Sequence, residues 1–158
     1  MPEVALDPHV FGPNQRCFGC SPTHPHGLHL AFARDGEEIV TRFVPNDDQQ
    51  GPPGIMHGGL VTAVADELAA WTIIGLKERL GFTAKLSARL RRPLRVGQEV
   101  EGRGRIVKDG GRVIDIAVTL SQAGAEACLG DFTFALLDQS GAERMLGTLP
   151  EEWRRFCR

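Results

Sequence analysis

The chain has 158 residues, 42% hydrophobic and 24% charged, with a formal net charge of −2. That is room for one domain with a sizeable core, without the basic excess of a nucleic-acid binder. The first residues, Met1 to Asp7, lack a secretory pattern, and the longest apolar run, Leu60 to Leu76, is interrupted by Asp66 and Glu67, so no membrane span is expected and a cytoplasmic location is. In that setting the four cysteines are expected as reduced thiols or ligands rather than disulfides.

Residues 1–27 are rich in Pro, Gly, His and Cys and carry no period, which predicts an irregular leader. A strand is expected over Leu28 to Ala33, a hairpin turn at Arg34-Asp35-Gly36, and a second strand over Glu38 to Val44. Pro45 to Met56 is a loop punctuated by Asn46-Asp47-Asp48 and Gly51-Pro52-Pro53-Gly54. One long helix follows, roughly His57 to Lys77. Leu60, Val61, Val64, Leu68, Trp71 and Ile74 recur at helical spacing, and Ala63, Ala65, Ala69 and Ile73 fill much of the remaining surface. A helix apolar nearly all round is a buried helix, so other elements must wrap it.

The wrapper is predicted downstream. Ala84, Leu86, Ala88 and Leu90 alternate with Lys85, Ser87, Arg89 and Arg91, as a half-buried strand does. Val100 to Ile106, Val113 to Leu120 and Ala127 to Leu137 continue the pattern, separated by Asp109-Gly110-Gly111 and Gln122-Ala123-Gly124. Long strands joined by short turns make an antiparallel meander. Pro150, with two acids early and two arginines late, predicts a short helix in the tail. The whole reads as α+β: a core over 28–138, an antiparallel sheet of about six strands around one long central helix, with a leader at 1–27 and a tail at 139–158.

The chemistry centres on His57-Gly58-Gly59 and Asp66. Amides at a helix N-terminus carry partial positive charge, and glycines let a ligand approach them. An acid in the middle of a buried helix is expensive to keep there. With Cys17-Phe18-Gly19-Cys20, Pro25-x-Gly27-Leu28 and the Arg92-Pro93-Leu94-x-x-Gly97 turn, this stretch resembles the hotdog-fold acyl-CoA thioesterases of the phenylacetate-pathway type, over about residues 14 to 138. The resemblance implies Asp66 as general base or nucleophile, helix N-terminal amides as oxyanion donors, and an acyl-CoA substrate. No separate cofactor is implied, coenzyme A being part of that substrate. Ser21 and His24 depart from the leader pattern of that branch.

Helix geometry adds an inference of its own. Asp66 lies seven and eight residues beyond Gly59 and Gly58, an advance of roughly 10–12 Å along one helical face. Acid and amides so separated can hardly meet at one carbonyl within a single chain. A second helix, antiparallel across a two-fold axis, brings each acid toward the other copy's amides, which predicts a homodimer with composite sites. Stacking of dimers into a homotetramer stays open.

Other residues carry two readings each. His57 orients the thioester or caps the helix; Gln50 positions substrate or water, or is a solvated loop residue; Thr83 supplies a hydroxyl or follows strand propensity. Asp66 itself has a structural alternative, pairing with Arg89. Glu67, about 100° around the helix from Asp66, is expected in a salt bridge with a basic strand residue. Arg89 and Arg91 are the candidate contacts to coenzyme A phosphates among Lys85, Arg89, Arg91, Arg92, Arg103 and Arg105, most of which are expected on solvated strand faces. Trp71, Phe82 and Phe134 are candidates for the floor of the acyl pocket. Cys17 and Cys20 with His24, His26 and His29 offer metal-type ligands, yet a loop this short lacks a distant second set, so no metal is expected and a packed loop near the coenzyme mouth is. Two alternatives to the thioesterase are a non-catalytic acyl-CoA-binding protein and a hotdog dehydratase, and the latter is disfavoured because Asp48-Gln49-Gln50-Gly51 lacks a histidine.

Overall fold

The computed structural model describes residues 2–158. Its centre is α1, Gly58–Lys77, and the rest of the fold is the sheet that this helix requires. The strands are β1 (Val4–Ala5), β2 (Phe32–Asp35), β3 (Glu38–Phe43), β4 (Gly81–Leu90), β5 (Val100–Asp109), β6 (Val113–Gln122) and β7 (Ala125–Leu136). They form one sheet in the order β1-β2-β3-β5-β6-β7-β4, with every pairing antiparallel. Val64, Ala65, Leu68, Ala69 and Ile73 are fully buried against Ile39, Val100, Ile116, Leu120 and Phe132. Although α1 is long and apolar enough to cross a bilayer, here it is the core element of the sheet that surrounds it.

Two glycines on β5 set how closely the sheet approaches. A Cβ on Gly104 would lie 2.2 Å from Thr72 Oγ1, and one on Gly102 2.8 Å from Leu68 Cδ2. Glycine in a strand marks such a close approach. Wrapping is thinnest on one stripe of α1, where Gly59 is exposed and Thr62, Ala63, Asp66 and Ala70 stay half-buried. Asp66 bridges from this stripe to β4.

Several boundaries differ from the sequence expectation. The sheet has seven strands rather than about six, because Val4–Ala5 of the leader adds to β2. β2 starts at Phe32 rather than Leu28, since the amides of Leu28 and Leu30 donate to Phe18 and Gly19 and are committed to the leader. His29, between them, has φ of 51°, which breaks extended geometry. β3 stops at Phe43, one residue short, because Val44 precedes a proline. β4 begins at Gly81, where it already pairs with Leu136, and β5 continues to Asp109. β6 and β7 are joined by Ala123 and Gly124, both at positive φ, as a tight hairpin requires. The tail holds two helices, α2 (Gln139–Leu146) and α3 (Glu151–Arg154), with Pro150 as the cap of α3 rather than its first residue. α2 lacked a sequence signal because Ser140-Gly141 are weak helix formers; Asp138 starts it by accepting from the Gly141 amide. Leader and tail meet on the core, where the Phe11 ring packs against Trp71, Trp153 and Phe156.

On the outer surface of the sheet, Arg103 pairs with Asp35, Glu38 and Glu101, all at 2.8–3.0 Å. The guanidinium holds the Glu101 carboxyl below its usual range. A carboxylate whose pKa is depressed in the folded state contributes stability above its unfolded pKa and loses it as pH falls through the folded value. Arg103→Ala is therefore expected to cost about 1 kcal/mol at neutral pH, as fits a half-exposed network. The difference from wild type should vanish in acid, which urea denaturation at a series of pH values measures; a pH-independent deficit would assign the loss to packing.

Candidate active site

Asp66 lies between α1 and β4, where its Oδ1 accepts a hydrogen bond from Thr83 Oγ1 at 2.9 Å. Burial raises its carboxyl above the ordinary aspartate value, and the Thr83 bond offsets part of that rise. Arg89 does not neutralise it, and no salt bridge to Asp66 exists among the described residues. A half-buried carboxylate with a single hydroxyl partner is poised to accept a proton.

His57 caps the helix: its Nδ1 accepts from the Gly59 amide at 3.0 Å. As the acceptor of that bond, Nδ1 carries no proton in this arrangement. Because His57 occupies the Gly59 amide, the Gly58 amide is the one of the glycine pair with no acceptor within the chain, among the described residues. Beside it lies a groove of about 260 Å³ lined by Met56, Gly58, Val61, Leu90, Arg91 and Arg92, among others. A Cβ on Gly58 would sit 3.2 Å from Leu90 Cδ1, so glycine keeps this corner open.

The remaining sequence candidates separate. Arg91 reaches the groove, whereas Arg89 is exposed on β4 outside its lining. Gln50 is committed to its own loop, donating to the Asp47 carbonyl and accepting from the Gly54 amide. Trp71 and Phe134 do not line the groove: they are core residues, 2% and 1% exposed, and Trp71 stacks on Phe32. Phe82 is instead 53% exposed on β4, so the three do not form one pocket floor.

Glu67 corrects its expectation. Rather than a basic strand residue, it meets the leader: the Cys17 thiol and the Trp71 indole N–H each donate to its Oε1 at 3.2 Å. Burial, and next the negative charge of a Cys17 thiolate, push its carboxyl up to about 8. The contact spans fifty residues of sequence. Its only sequence signal was the angle that turns Glu67 away from Asp66 on the helix.

An antiparallel sheet curled around one helix is the hotdog class of fold. Residues 53–128, which carry α1, β4, β5 and β6, match the sequence model of the thioesterase superfamily. No curated protein matches the chain. By structure it is similar to a thioesterase superfamily protein at TM-score 0.71 and 21% identity, over 85% of this chain and 68% of that one. It is similar to a hypothetical thioesterase with coenzyme A from Streptococcus pneumoniae TIGR4 at TM-score 0.61 and 21% identity, over 65% of this chain and 82% of that one. A phenylacetic acid degradation-related protein from Ralstonia eutropha JMP134 matches at TM-score 0.63 and 24% identity, over 68% and 85% of the two chains.

Proposed function

We propose that the protein hydrolyses an acyl-CoA thioester to the free acid and coenzyme A, as a homodimer in which each site combines Asp66 of one copy with the Gly58 amide of the other. The observation that carries this is the half-buried Asp66 carboxylate, held among the described residues only by Thr83, on the same helix as an amide without a partner among them. Eight residues, about 12 Å of helix, separate them. The superfamily match and the coenzyme A carried by the pneumococcal relative favour the substrate class.

β4 favours the assembly. It is a ten-residue edge strand with no partner on its outer side among the described residues. Phe82, Leu86 and Leu90 along it are 53%, 49% and 49% exposed. A long apolar edge invites another strand. Pairing β4 with its copy across a two-fold axis buries these side chains and sets two α1 helices antiparallel behind them.

In such a site Asp66 takes a proton from water as the oxygen adds to the thioester carbonyl. The oxyanion gathers at the partner copy's Gly58 amide and the positive end of its helix. Collapse of the adduct expels the coenzyme A thiolate, to which Asp66 returns the proton. Arg91 and Arg92 at the groove suit the phosphates. Attack by Asp66 itself would pass through an anhydride; a single turnover in heavy-oxygen water then labels the enzyme carboxylate where water opens the anhydride at the aspartyl carbonyl, and label in the enzyme excludes a base mechanism, which labels only the product acid.

Short-, medium-, long-chain and aryl acyl-CoAs offered to the purified protein test the activity, read as free thiol released. Turnover of at least one class is expected. Calorimetric binding without any thiol release would make the protein a non-catalytic acyl-CoA binder instead. Thr83 positions the acid, so Thr83→Val is expected to lower kcat about ten- to a hundredfold, the worth of a hydrogen bond to a charged group. KM should change little and Thr83→Ser should restore the rate. Equal rates for the Val and Ser variants would remove Thr83 from the account.

A further inference from the structure

The leader meets the middle of α1 at a cluster that hydrolysis does not use. One ligand-type atom each of Cys17, Cys20 and Glu67 lies within 4.8 Å of the other two. Cys20 is buried, and Cys17 and Glu67 are partly so. All four cysteines of the chain are free thiols.

The loop that brings them together is firmly built. The Ser21 amide donates to the Cys17 carbonyl at 3.0 Å, closing the turn between the two thiols. The Cys17 amide donates to Gln15 Oε1 at 2.8 Å. Leu28 and Leu30 donate to the Phe18 and Gly19 carbonyls at 2.8 and 2.9 Å, so the turn is pinned along its length. Gly19 lets the turn approach closely: a Cβ there would lie 2.5 Å from the Glu67 carboxyl carbon and push that side chain away. The Cys-x-x-Cys turn thus lies directly against a carboxylate from another element.

This cluster gathers three groups that become anions on losing their protons, with no lysine or arginine paired to any of them among the described residues. Partly buried acids without a counter-charge are costly. The distant ligand that the leader lacks in sequence is Glu67. The histidines go elsewhere: His24 packs edge-on to Phe18, and His29 Nε2 contacts the His24 carbonyl.

We propose that Cys17, Cys20 and Glu67 bind one thiophilic divalent cation of the zinc type, which fastens the leader to α1. Two thiolates with one carboxylate suit zinc rather than magnesium or calcium. At Zn–S and Zn–O bond lengths of about 2.3 and 2.0 Å, tetrahedral ligands lie about 3.5–4 Å apart. The 3.2 Å from Cys17 Sγ to Glu67 Oε1 is already close to that spacing. Binding releases the two thiol protons and the Glu67 carboxyl proton to solvent, and water takes the fourth position.

The test is a titration of the full-length, reduced, chelator-stripped protein with Co²⁺. One equivalent should produce a near-ultraviolet thiolate-to-cobalt band with the visible bands of a tetrahedral ion, and Zn²⁺ should displace it and raise Tm. Cys17→Ser and Cys20→Ser should each abolish the thiolate band or shift it strongly. Glu67→Gln should weaken binding by at least about tenfold. A variant with His24, His26 and His29 all changed to Ala should keep the band. The wild-type spectrum alone decides whether thiols bind the ion, so a variant that fails to fold does not blunt the test. Absence of the band in reduced wild type, or its persistence in the double Cys→Ser variant, overturns the proposal.

Discussion

Asp66→Asn is expected to lower kcat about 10²- to 10⁴-fold, the usual contribution of a positioned general base, while leaving the fold intact. The substitution keeps the volume and an acceptor for Thr83 Oγ1, 2.9 Å away, and removes only the basic oxygen. Stability should hold or rise. Burial disfavours the charged form of Asp66, and a group held against that cost at an active site is often stabilising to remove. Acid release from an acyl-CoA and a thermal melt on the same preparation read both effects. If Asp66→Asn hydrolysed at the wild-type rate, or lost several kcal/mol of stability, Asp66 would be a structural acid.

The second large effect concerns β4. Leu86→Lys with Leu90→Lys is expected to leave the single chain folded, because both side chains are about half exposed on it. Charges along the edge oppose strand pairing, so size-exclusion chromatography should show a monomer. Activity should fall by about 10²–10³, comparable to losing an oxyanion donor, since each Asp66 loses the partner's Gly58 amide. Circular dichroism checks that secondary structure persists. A fully active monomer would rule out the composite site.

The parts of this molecule legible in the sequence were those set by local periodicity. The helix over 57–77 and the four strands after it follow from apolar spacing, and each was placed within a few residues. Errors arose where backbone groups had a distant competitor. Leu28 and Leu30 look like strand residues, but their amides are spent on Phe18 and Gly19 in the leader. Glu67 has the same origin: a helical carboxylate facing away from Asp66 was legible, but its partner, Cys17, was not. The glycine pair was legible as a donor step, though not how it divides, because the fold of the His57 ring over Gly59 is a matter of side-chain geometry. Trp71 and Phe134 are candidates for a pocket floor in the sequence, and the tight sheet around α1 claims them for the core.

Subunit complementation tests the composite site most directly. One differently tagged chain carries Asp66→Asn and the other Gly58→Val, a change that fills the corner beside Leu90; each alone is expected to be nearly inactive. In the purified heterodimer one site pairs both defects, and the other joins the intact Asp66 of the second chain to the intact Gly58 of the first. The account predicts recovery of about half the wild-type activity per dimer, one site of two. A heterodimer as inactive as its parents would show that acid and amide act within one chain.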